Sequence, residues 1–371
     1  MPKKYNNYFS YTIIFSLLNL AGIFSIFGAR TYGDTGRYLN IIHWIWGGQV
    51  SEDPIGFLRP LGPLLAAPFE FLGEGAGLIL ENTLFYFASA ILIFKIIEIL
   101  SGNQRQAFIG AVFFVTATPV LEVGLAYLTD MGAWFFYLFS IFLTLRFFTR
   151  GDRRLIPLNG FLSGLGFLLK ENGSLGSLFW GMMILLYHKF SVKQKIAHIF
   201  KFGVLFAVPI LIVQFLGYHY LSYTHIDWFQ TGMVGGEKES FSTITLRYLG
   251  QLFRILGLLW PLVLIGLWAE IKNRNFNRML VYASLLPGSF SFLLWSTDAG
   301  GRSVFIFAPL AIILATFGWM TVEKYLQKIH QNTKNIALAA MFAMITGINY
   351  LFVFVNQKIN FTDMIIELFK I

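Results

Sequence analysis

The sequence predicts an all-α fold: a polytopic transmembrane helix bundle that forms a single domain over residues 1–371. Of the 371 residues, 56% are hydrophobic and only 13% are charged, whereas a soluble domain carries about 25% charged residues. Apolar runs long enough to span a bilayer recur along the whole chain. Because a lipid-exposed backbone must satisfy its own hydrogen bonds, each of these runs is predicted to be a helix.

The apolar runs give the order of the predicted membrane segments. The first, 9–29, follows Lys3 and Lys4 and lacks a small-residue cleavage site, which predicts an uncleaved signal anchor. Residues 361–371 predict a short amphipathic helix on the outer surface. The other runs lie near 82–100, 106–126, 131–148, 202–222, 248–269, 279–295, 303–321 and 336–355.

The stretch 157–187 is different, because Lys170-Glu171-Asn172-Gly173 divides it into two pieces that are each short for a span. Arginines precede the stretch and lysines follow it, and both residue types collect on the cytoplasmic side of membranes. The stretch is therefore predicted to be a hairpin with Lys170 and Glu171 at its outer tip. The prediction becomes about eleven membrane segments, with the N-terminus inside and the C-terminus outside.

The net charge of +9 follows the same topology. The predicted cytoplasmic side holds most of the 28 Lys and Arg residues and few of the 19 acids, so the basic balance is a topology signal and no nucleic-acid partner is predicted. The chain has no cysteine, which excludes disulfides, iron–sulfur clusters and thiolate zinc sites.

Asp34 is the first candidate for chemistry. It lies near the start of a long outer loop, about 30–81, at the N-cap position of a helix predicted over 35–46. A capping carboxylate can still accept a proton from a hydroxyl, so the structural and the catalytic interpretation stay open together. The buried face of the helix is predicted to carry Tyr38, Ile41, Ile42 and Ile45.

Two arginines beside prolines or glycines are candidate phosphate ligands. Arg59 begins Arg59-Pro60-Leu61-Gly62-Pro63 at the end of the first loop, and Arg302 ends Asp298-Ala299-Gly300-Gly301-Arg302 between two late spans. Guanidinium groups match phosphate oxygens in geometry. An arginine whose charged end reaches the lipid headgroups would account for each pattern equally well.

Further charged residues lie at the predicted outer ends of the segments. Glu122 and Asp130 bracket the short second outer loop, where they are either solvated or, for Asp130, a helix cap. Lys170 and Glu171 form either a surface ion pair, worth roughly 0–1 kcal/mol, or a buried pair at membrane depth that needs partners or a water-filled cavity. The second interpretation is favoured for this pair.

Cofactor motifs are absent from the sequence. There is no P-loop, no G-x-S-x-G and no H-E-x-x-H. The one metal-like cluster, His219, His225 and Asp227, has a spacing that matches no strong motif. No metal or other cofactor is predicted.

The order of these motifs resembles the GT-C superfamily of integral-membrane glycosyltransferases, particularly its bacterial protein mannosyltransferase-like and aminoarabinose transferase-like members. The resemblance runs over about 9–320 and is strongest over 30–175. It implies a shared module over about 9–222 and further helices over about 244–355. The sequence shows no separate soluble domain, which departs from the many members of the family that carry a large C-terminal periplasmic one. The motifs of the resemblance are Gly33-Asp34-Thr35-Gly36-Arg37-Tyr38, Arg59-Pro60, the acid Asp130, Gly160 to Glu171, and Arg302 before Pro309.

This resemblance implies an inverting transfer from a polyprenyl-phosphate sugar donor to an unidentified acceptor at the outer face of the plasma membrane. It implies that Asp34 is the base and Asp130 the second-loop acid, while Arg59 and Arg302 hold the donor phosphate. Arg37, Tyr38, Lys170 and Glu171 would be supporting substrate-binding residues. Thr35 follows Asp34 where many members carry a second acid, which argues against a metal role there.

A transporter or lipid flippase without catalytic chemistry is the alternative. Broken helices and charges within the membrane are typical of transporters as well. The chain shows no inverted repeat, and its long outer loop lies on one side only, so the sequence favours the transferase.

Overall fold

A computed structural model describes residues 7–48, 55–234, 241–291, 304–327 and 331–359. Every regular element within these ranges is a helix, which confirms the predicted all-α class. Seven helical stretches are long and apolar enough to cross a membrane: Tyr8–Phe27, Ala76–Ser101, Asp130–Arg150, Val192–Leu221, Tyr248–Asn273, Phe305–Leu326 and Gln331–Val355. The count of about eleven segments and their sidedness remain predictions, and the predicted helix over 361–371 lies outside the described residues.

The helices lie along the chain in the following order. The first half of the chain forms α1 (Tyr8–Phe27), α2 (Thr35–Ile45), α3 (Ile55–Leu58), α4 (Leu61–Ala66), α5 (Ala76–Ser101), α6 (Gln104–Val115), α7 (Thr118–Glu122) and α8 (Asp130–Arg150). The second half forms α9 (Leu155–Leu169), α10 (Gly176–Leu186), α11 (Val192–Leu221), α12 (His225–Val234), α13 (Phe241–Leu256), α14 (Trp260–Asn273), α15 (Phe276–Ser289), α16 (Ala308–Leu326) and α17 (Gln331–Ile359).

Glycines allow close approach where the long helices cross. Gly266 of α14 and Gly318 of α16 each face the other helix so closely that a Cβ on either would stand 1.9 Å from a backbone oxygen. Gly160 and Gly164 bring α9 onto α11 in the same way. Small residues at such crossings let helix backbones pack tightly, which is the usual basis of helix association in a bilayer.

The hairpin predicted over 157–187 can be followed along α8. Asn159, near the start of α9, donates to the Thr144 hydroxyl at 3.0 Å. At the other end of α9, Leu169 lies beside Gly132, in the first turn of α8. α9 therefore runs antiparallel to α8.

The second half of this stretch returns along the same helix. Gly176, at the start of α10, lies against Ser140, and Tyr187, just after its end, contacts the Phe148 ring with a centroid distance of 4.9 Å. α10 thus runs in the direction of α8 and opposite to α9. The stretch is a hairpin, as the charge pattern predicted, and its tip lies near the N-terminal end of α8.

Residues 28–48 and 55–75 cover the end of the bundle at which the hairpin tip lies, called here the first-loop end. The helix predicted over 35–46 is present as α2. Tyr38, Ile41 and Ile42 are buried as expected, but Ile45 is exposed because the helix ends there. At this end the indole nitrogen of Trp46 donates to the Ala67 carbonyl at 2.8 Å, which ties α2 to the turn after α4.

Candidate functional site

Two ion pairs form the centre of the candidate site at the first-loop end. The Arg59 guanidinium meets the Glu171 carboxylate through two nitrogen–oxygen contacts, each of 2.8 Å. The Lys170 ammonium lies 2.6 Å from the Asp130 carboxylate. Arg59 is only 7% exposed and Asp130 only 1%. Lys170 and Glu171 therefore do not pair with each other; each is half-buried and has a partner from another segment. Their depth in a membrane remains a prediction.

The backbone of the hairpin tip explains why two adjacent side chains find different partners. Lys170 is extended (φ −167°, ψ 142°), and Glu171 opens a short 3-10 turn, Glu171–Ser174. The turn closes against α9 because Gly166 and Gly173 have no side chains: a Cβ at Gly173 would stand 2.6 Å from the Gly166 carbonyl oxygen. The break between α9 and α10 thus directs Lys170 toward α8 and Glu171 toward the first loop.

Tyr38 connects the first loop to the same cluster. It is fully buried, and its hydroxyl accepts a hydrogen bond of 3.0 Å from Thr129, the residue before Asp130. It also interacts with Arg59. Burial alone would lower the pKa of the Arg59 guanidinium, but Glu171 and Tyr38 outweigh that effect and raise the pKa. Arg59 therefore keeps its charge inside the protein.

The predicted base, Asp34, lies one helical turn before Tyr38. Its side chain makes no capping hydrogen bond to α2; a carboxylate oxygen instead lies 3.4 Å from Arg37. Asp34 and Arg37 are both half-buried, whereas the Asp130 carboxylate is enclosed. Asp34 is thus more accessible to a substrate than Asp130, whose carboxylate could be reached only by disruption of a buried ion pair.

The short helix α12 covers the pair formed by Arg59 and Glu171. The Trp228 ring lies over the Arg59 guanidinium, with the Cζ atom 5.0 Å from the ring centroid, a cation–π arrangement. One turn earlier, the His225 ring packs on Phe167 of α9 at a centroid distance of 4.8 Å. From the sequence, His225 was only part of a weak metal-like cluster, and this placement was missed.

Glu81 is a second residue that the sequence analysis missed. It is 6% exposed, and neither carboxylate oxygen has a hydrogen-bond partner among the described residues. It lies beneath Gly62, where a Cβ would stand 3.8 Å from Glu81 Oε1 and 2.5 Å from the Thr129 methyl group. The available signal was a lone acid just ahead of the apolar run 82–100, since a buried acid in a spanning helix marks function by default.

Glu122 belongs to a different cluster at this end. Expected to be solvated, it instead receives two hydrogen bonds from Arg254 Nη2, at 2.6 and 2.7 Å, and its carbonyl accepts from Arg30 and Tyr32. Burial, followed by the charge of Glu122, raises the pKa of the Tyr32 hydroxyl. These contacts attach α13 and the start of the first loop to α7.

The metal-like cluster of the sequence does not come together as a coordination sphere. His225 bonds to Gln214, and Asp227 accepts from the Thr224 backbone and hydroxyl at 2.8 and 2.6 Å. Within the described ranges, no group of three or more His, Asp or Glu side chains could hold a metal ion. Asp298 and Arg302, the late candidates, lie outside the described residues.

Comparison with known proteins adds no name to this site. No protein-family model matches the chain, and the curated proteins contain no significant match to it. The function must therefore be inferred from the residues of the site.

Proposed function

We propose that the protein is a GT-C-like glycosyltransferase that uses a polyprenyl-phosphate sugar at the outer face of the plasma membrane. One observation carries the proposal: charged residues from the first loop, α8 and the hairpin tip converge at one end of an apolar bundle. Lys170 and Glu171 each find a partner there, in Asp130 and Arg59. Buried charges of this kind are costly in a membrane protein and usually mark a functional site.

The proposed reaction assigns the proton to Asp34. The acceptor hydroxyl gives its proton to the Asp34 carboxylate while the acceptor oxygen forms a bond to the anomeric carbon of the sugar. The bond between that carbon and the phosphate oxygen breaks, and the polyprenyl phosphate leaves with the electron pair. The half-buried position of Asp34 supports this role, because a general base must reach its hydroxyl within about 3 Å.

Arg59 and Arg37 are the proposed partners of the developing phosphate charge. Arg59 uses its Nε and one Nη atom for Glu171 and also bonds to Tyr38. Because a guanidinium has five N–H donors, further donors remain available to a ligand. Arg37 is half-buried beside Asp34. Arg302 is the third proposed ligand, on the sequence motif alone. Fixed cationic donors around a leaving group are often the largest contribution to catalysis.

Lys170, Asp130 and Tyr38 are proposed to hold this arrangement in place. Lys170 fixes the hairpin tip against α8 through Asp130. Tyr38, in α2, interacts with both Arg59 and Thr129, the residue before α8. These contacts hold α2 against the start of α8. Small displacements of catalytic groups are costly, so loss of these contacts should reduce turnover without abolishing substrate binding.

The test measures the release of polyprenyl phosphate from radiolabelled polyprenyl-phosphate hexoses and pentoses in membranes that contain the protein. Asp34→Asn should lower the rate by about 100-fold or more while donor binding persists. The matched control is Asp152→Asn, an exposed aspartate in the turn after α8, which should keep the wild-type rate. Equal rates for Asp34→Asn and the wild type would exclude the proposed mechanism.

The broken helix at Lys170 also favours the transporter alternative. The same membranes distinguish the two functions. A flippase moves labelled polyprenyl-phosphate sugar across a vesicle bilayer and leaves its glycosidic bond intact, whereas a transferase consumes that bond. Translocation without cleavage would therefore favour the transporter.

A further inference from the structure

The strongest unexplained feature near the site is a buried histidine nitrogen. The Gln214 side-chain oxygen accepts a 3.0 Å hydrogen bond from the His225 backbone. Its amide nitrogen is therefore the atom that contacts His225 Nδ1. Since Nδ1 accepts this bond, the neutral ring must carry its proton on Nε2. Gln214 thus fixes the tautomer of His225.

The resulting Nε2–H group has no acceptor. His225 is only 5% exposed, and Nε2 is fully buried without a hydrogen-bond partner among the described residues. A buried donor left unpaired costs about 1–3 kcal/mol. Such groups are rare in native proteins and call for an explanation, such as a ligand, an ion or a catalytic role.

His225 lies beside the candidate site. His225 and Trp228 are three residues apart on α12 and therefore lie on one face of the helix. Trp228 covers Arg59 on that face, and His225 packs on Phe167, three residues before Lys170. The charged groups that act on the ring are Glu171 and Arg59.

The ring is neutral at neutral pH. Burial lowers the pKa of His225, and the charge of Arg59 lowers it further, while Glu171 opposes both effects. Nδ1 therefore remains an acceptor for Gln214, and Nε2–H can only donate a hydrogen bond.

We propose that His225 Nε2–H, together with the N–H groups of Arg59 that Glu171 and Tyr38 leave free, binds a phosphate oxygen of the lipid-linked ligand. This inference deepens the proposed function and rests on it. Two enclosed donors favour an acceptor that carries no hydrogen of its own, and a phosphodiester oxygen is such an acceptor. A neutral imidazole adds a directed hydrogen bond without adding charge to a cluster that already contains Arg59 and Lys170.

The test measures the binding of farnesyl phosphate to the purified full-length protein in detergent. His225→Phe keeps an aromatic ring against Phe167 but removes the donor. It should weaken binding by about tenfold, the usual effect of the loss of one hydrogen bond to a charged group. The matched control is His219→Phe, an exposed histidine at the end of α11, which should bind as the wild type does.

Two further probes identify the ligand chemistry. Farnesol has the same tail without phosphate, and it should bind equally to the wild type and to His225→Phe. Inorganic phosphate has no tail. Competition by inorganic phosphate at concentrations similar to those of farnesyl phosphate would show that the site takes free phosphate and would overturn the lipid assignment.

A spectroscopic measurement separates a direct contact from a structural role. In protein with ¹⁵N-labelled histidine, farnesyl phosphate should shift the Nε2–H proton of His225 downfield, and farnesol should not. The apo form of His225→Phe should unfold at a temperature close to that of the wild type, because the substitution removes the unpaired Nε2–H donor but also removes the acceptor of the Gln214 amide. An unshifted Nε2–H resonance in the presence of saturating farnesyl phosphate would overturn the contact.

The outcomes also separate this inference from the proposed function. If the wild type and His225→Phe bind farnesyl phosphate equally tightly, the inference is overturned and the transferase proposal stays intact. Wild-type protein that does not bind farnesyl phosphate at all would overturn both.

Discussion

Arg59 and Glu171 face each other across two 2.8 Å contacts, although 112 positions separate them in the chain. The pair joins the first loop to the tip of the hairpin, so neither element can move without the other. It also encloses charge: Arg59 is buried, and Trp228 covers the guanidinium from α12. The geometry of the candidate site therefore depends on this ion pair.

Glu171→Leu should destabilise the protein strongly. The substitution leaves the Arg59 guanidinium buried without its carboxylate, and breaking one side of a buried ion pair typically costs about 3–5 kcal/mol. Unfolding in detergent, followed by tryptophan fluorescence, measures the loss. The double variant Arg59→Met/Glu171→Leu should recover most of it, because an apolar pair no longer carries an unpaired charge.

The matched control for this prediction is the pair formed by Lys95 and Glu98. Its 2.8 Å contact is similar in length, but the two side chains are 39% and 25% exposed. Lys95→Met should change stability by only about 0–1 kcal/mol. A loss of similar size in Lys95→Met and Glu171→Leu would argue that the pair at the hairpin tip has no special structural role.

Gly173→Ala should distort the hairpin tip. Its new methyl group would lie 2.6 Å from the Gly166 carbonyl oxygen. The backbones of the two packed segments cannot move apart without a loss of packing contacts. A cost of about 1–3 kcal/mol is typical of overpacking, and transfer should fall with it because Lys170 and Glu171 shift. Gly181→Ala, in α10, is the control: its Cβ would meet open space, so stability should stay constant or rise by about 0.5–1 kcal/mol.

The membrane class and the hairpin could be predicted because they depend on local signals. Hydropathy gives the helices, and the positions of Lys and Arg required 157–187 to return to the side on which it began. In the structure, α9 and α10 are antiparallel to each other and both pack along α8. The helix after Asp34 could be predicted from local signals in the same way. Only Ile45, its last residue, was wrongly predicted to be buried, because a periodic pattern does not show where the final turn leaves the core.

The pairing of the charged residues could not be predicted, because it depends on contacts between distant segments. The sequence indicated Arg59, Asp130, Lys170 and Glu171 as candidates, but not that each base would meet an acid from another segment. Glu81 was missed for a related reason: the residues next to it in the sequence do not show that Gly62 packs over its carboxylate.

Glu81→Leu should raise stability and lower activity. Both carboxylate oxygens of Glu81 are buried and unbonded among the described residues, so an apolar replacement of similar size removes a cost of about 1–3 kcal/mol. If Glu81 contacts the hydroxyl groups of a substrate, transfer should fall at the same time, which is the usual trade-off at a functional site. Glu74→Leu, at an exposed position before α5, should leave transfer unchanged.

The stability and transfer measurements on Glu81→Leu have separate meanings. A more stable variant with full transfer activity would make Glu81 an unpaired structural residue outside the site. A variant that is less stable than the wild type would show that the carboxyl group is paired in the protein.

The pH dependence of stability should contain a contribution from His225. Burial and the charge of Arg59 lower its folded-state pKa below the ordinary value of 6.5, against the opposing effect of Glu171. Below about pH 6.5 the unfolded chain therefore binds a proton that the folded protein does not. The free energy of unfolding consequently decreases as the pH is lowered, by up to about 1.4 kcal/mol per pH unit. The decline ends once the pH passes below the folded-state pKa. Above about pH 7 both states are neutral at this residue, and it contributes no slope.

Denaturant unfolding between pH 5 and 8 should show that His225→Phe loses stability less steeply than the wild type on the acid side, while His219→Phe follows the wild-type curve. Parallel curves for the wild type and His225→Phe would mean that the ring gains its proton equally in both states, which is incompatible with a buried neutral imidazole held by Gln214.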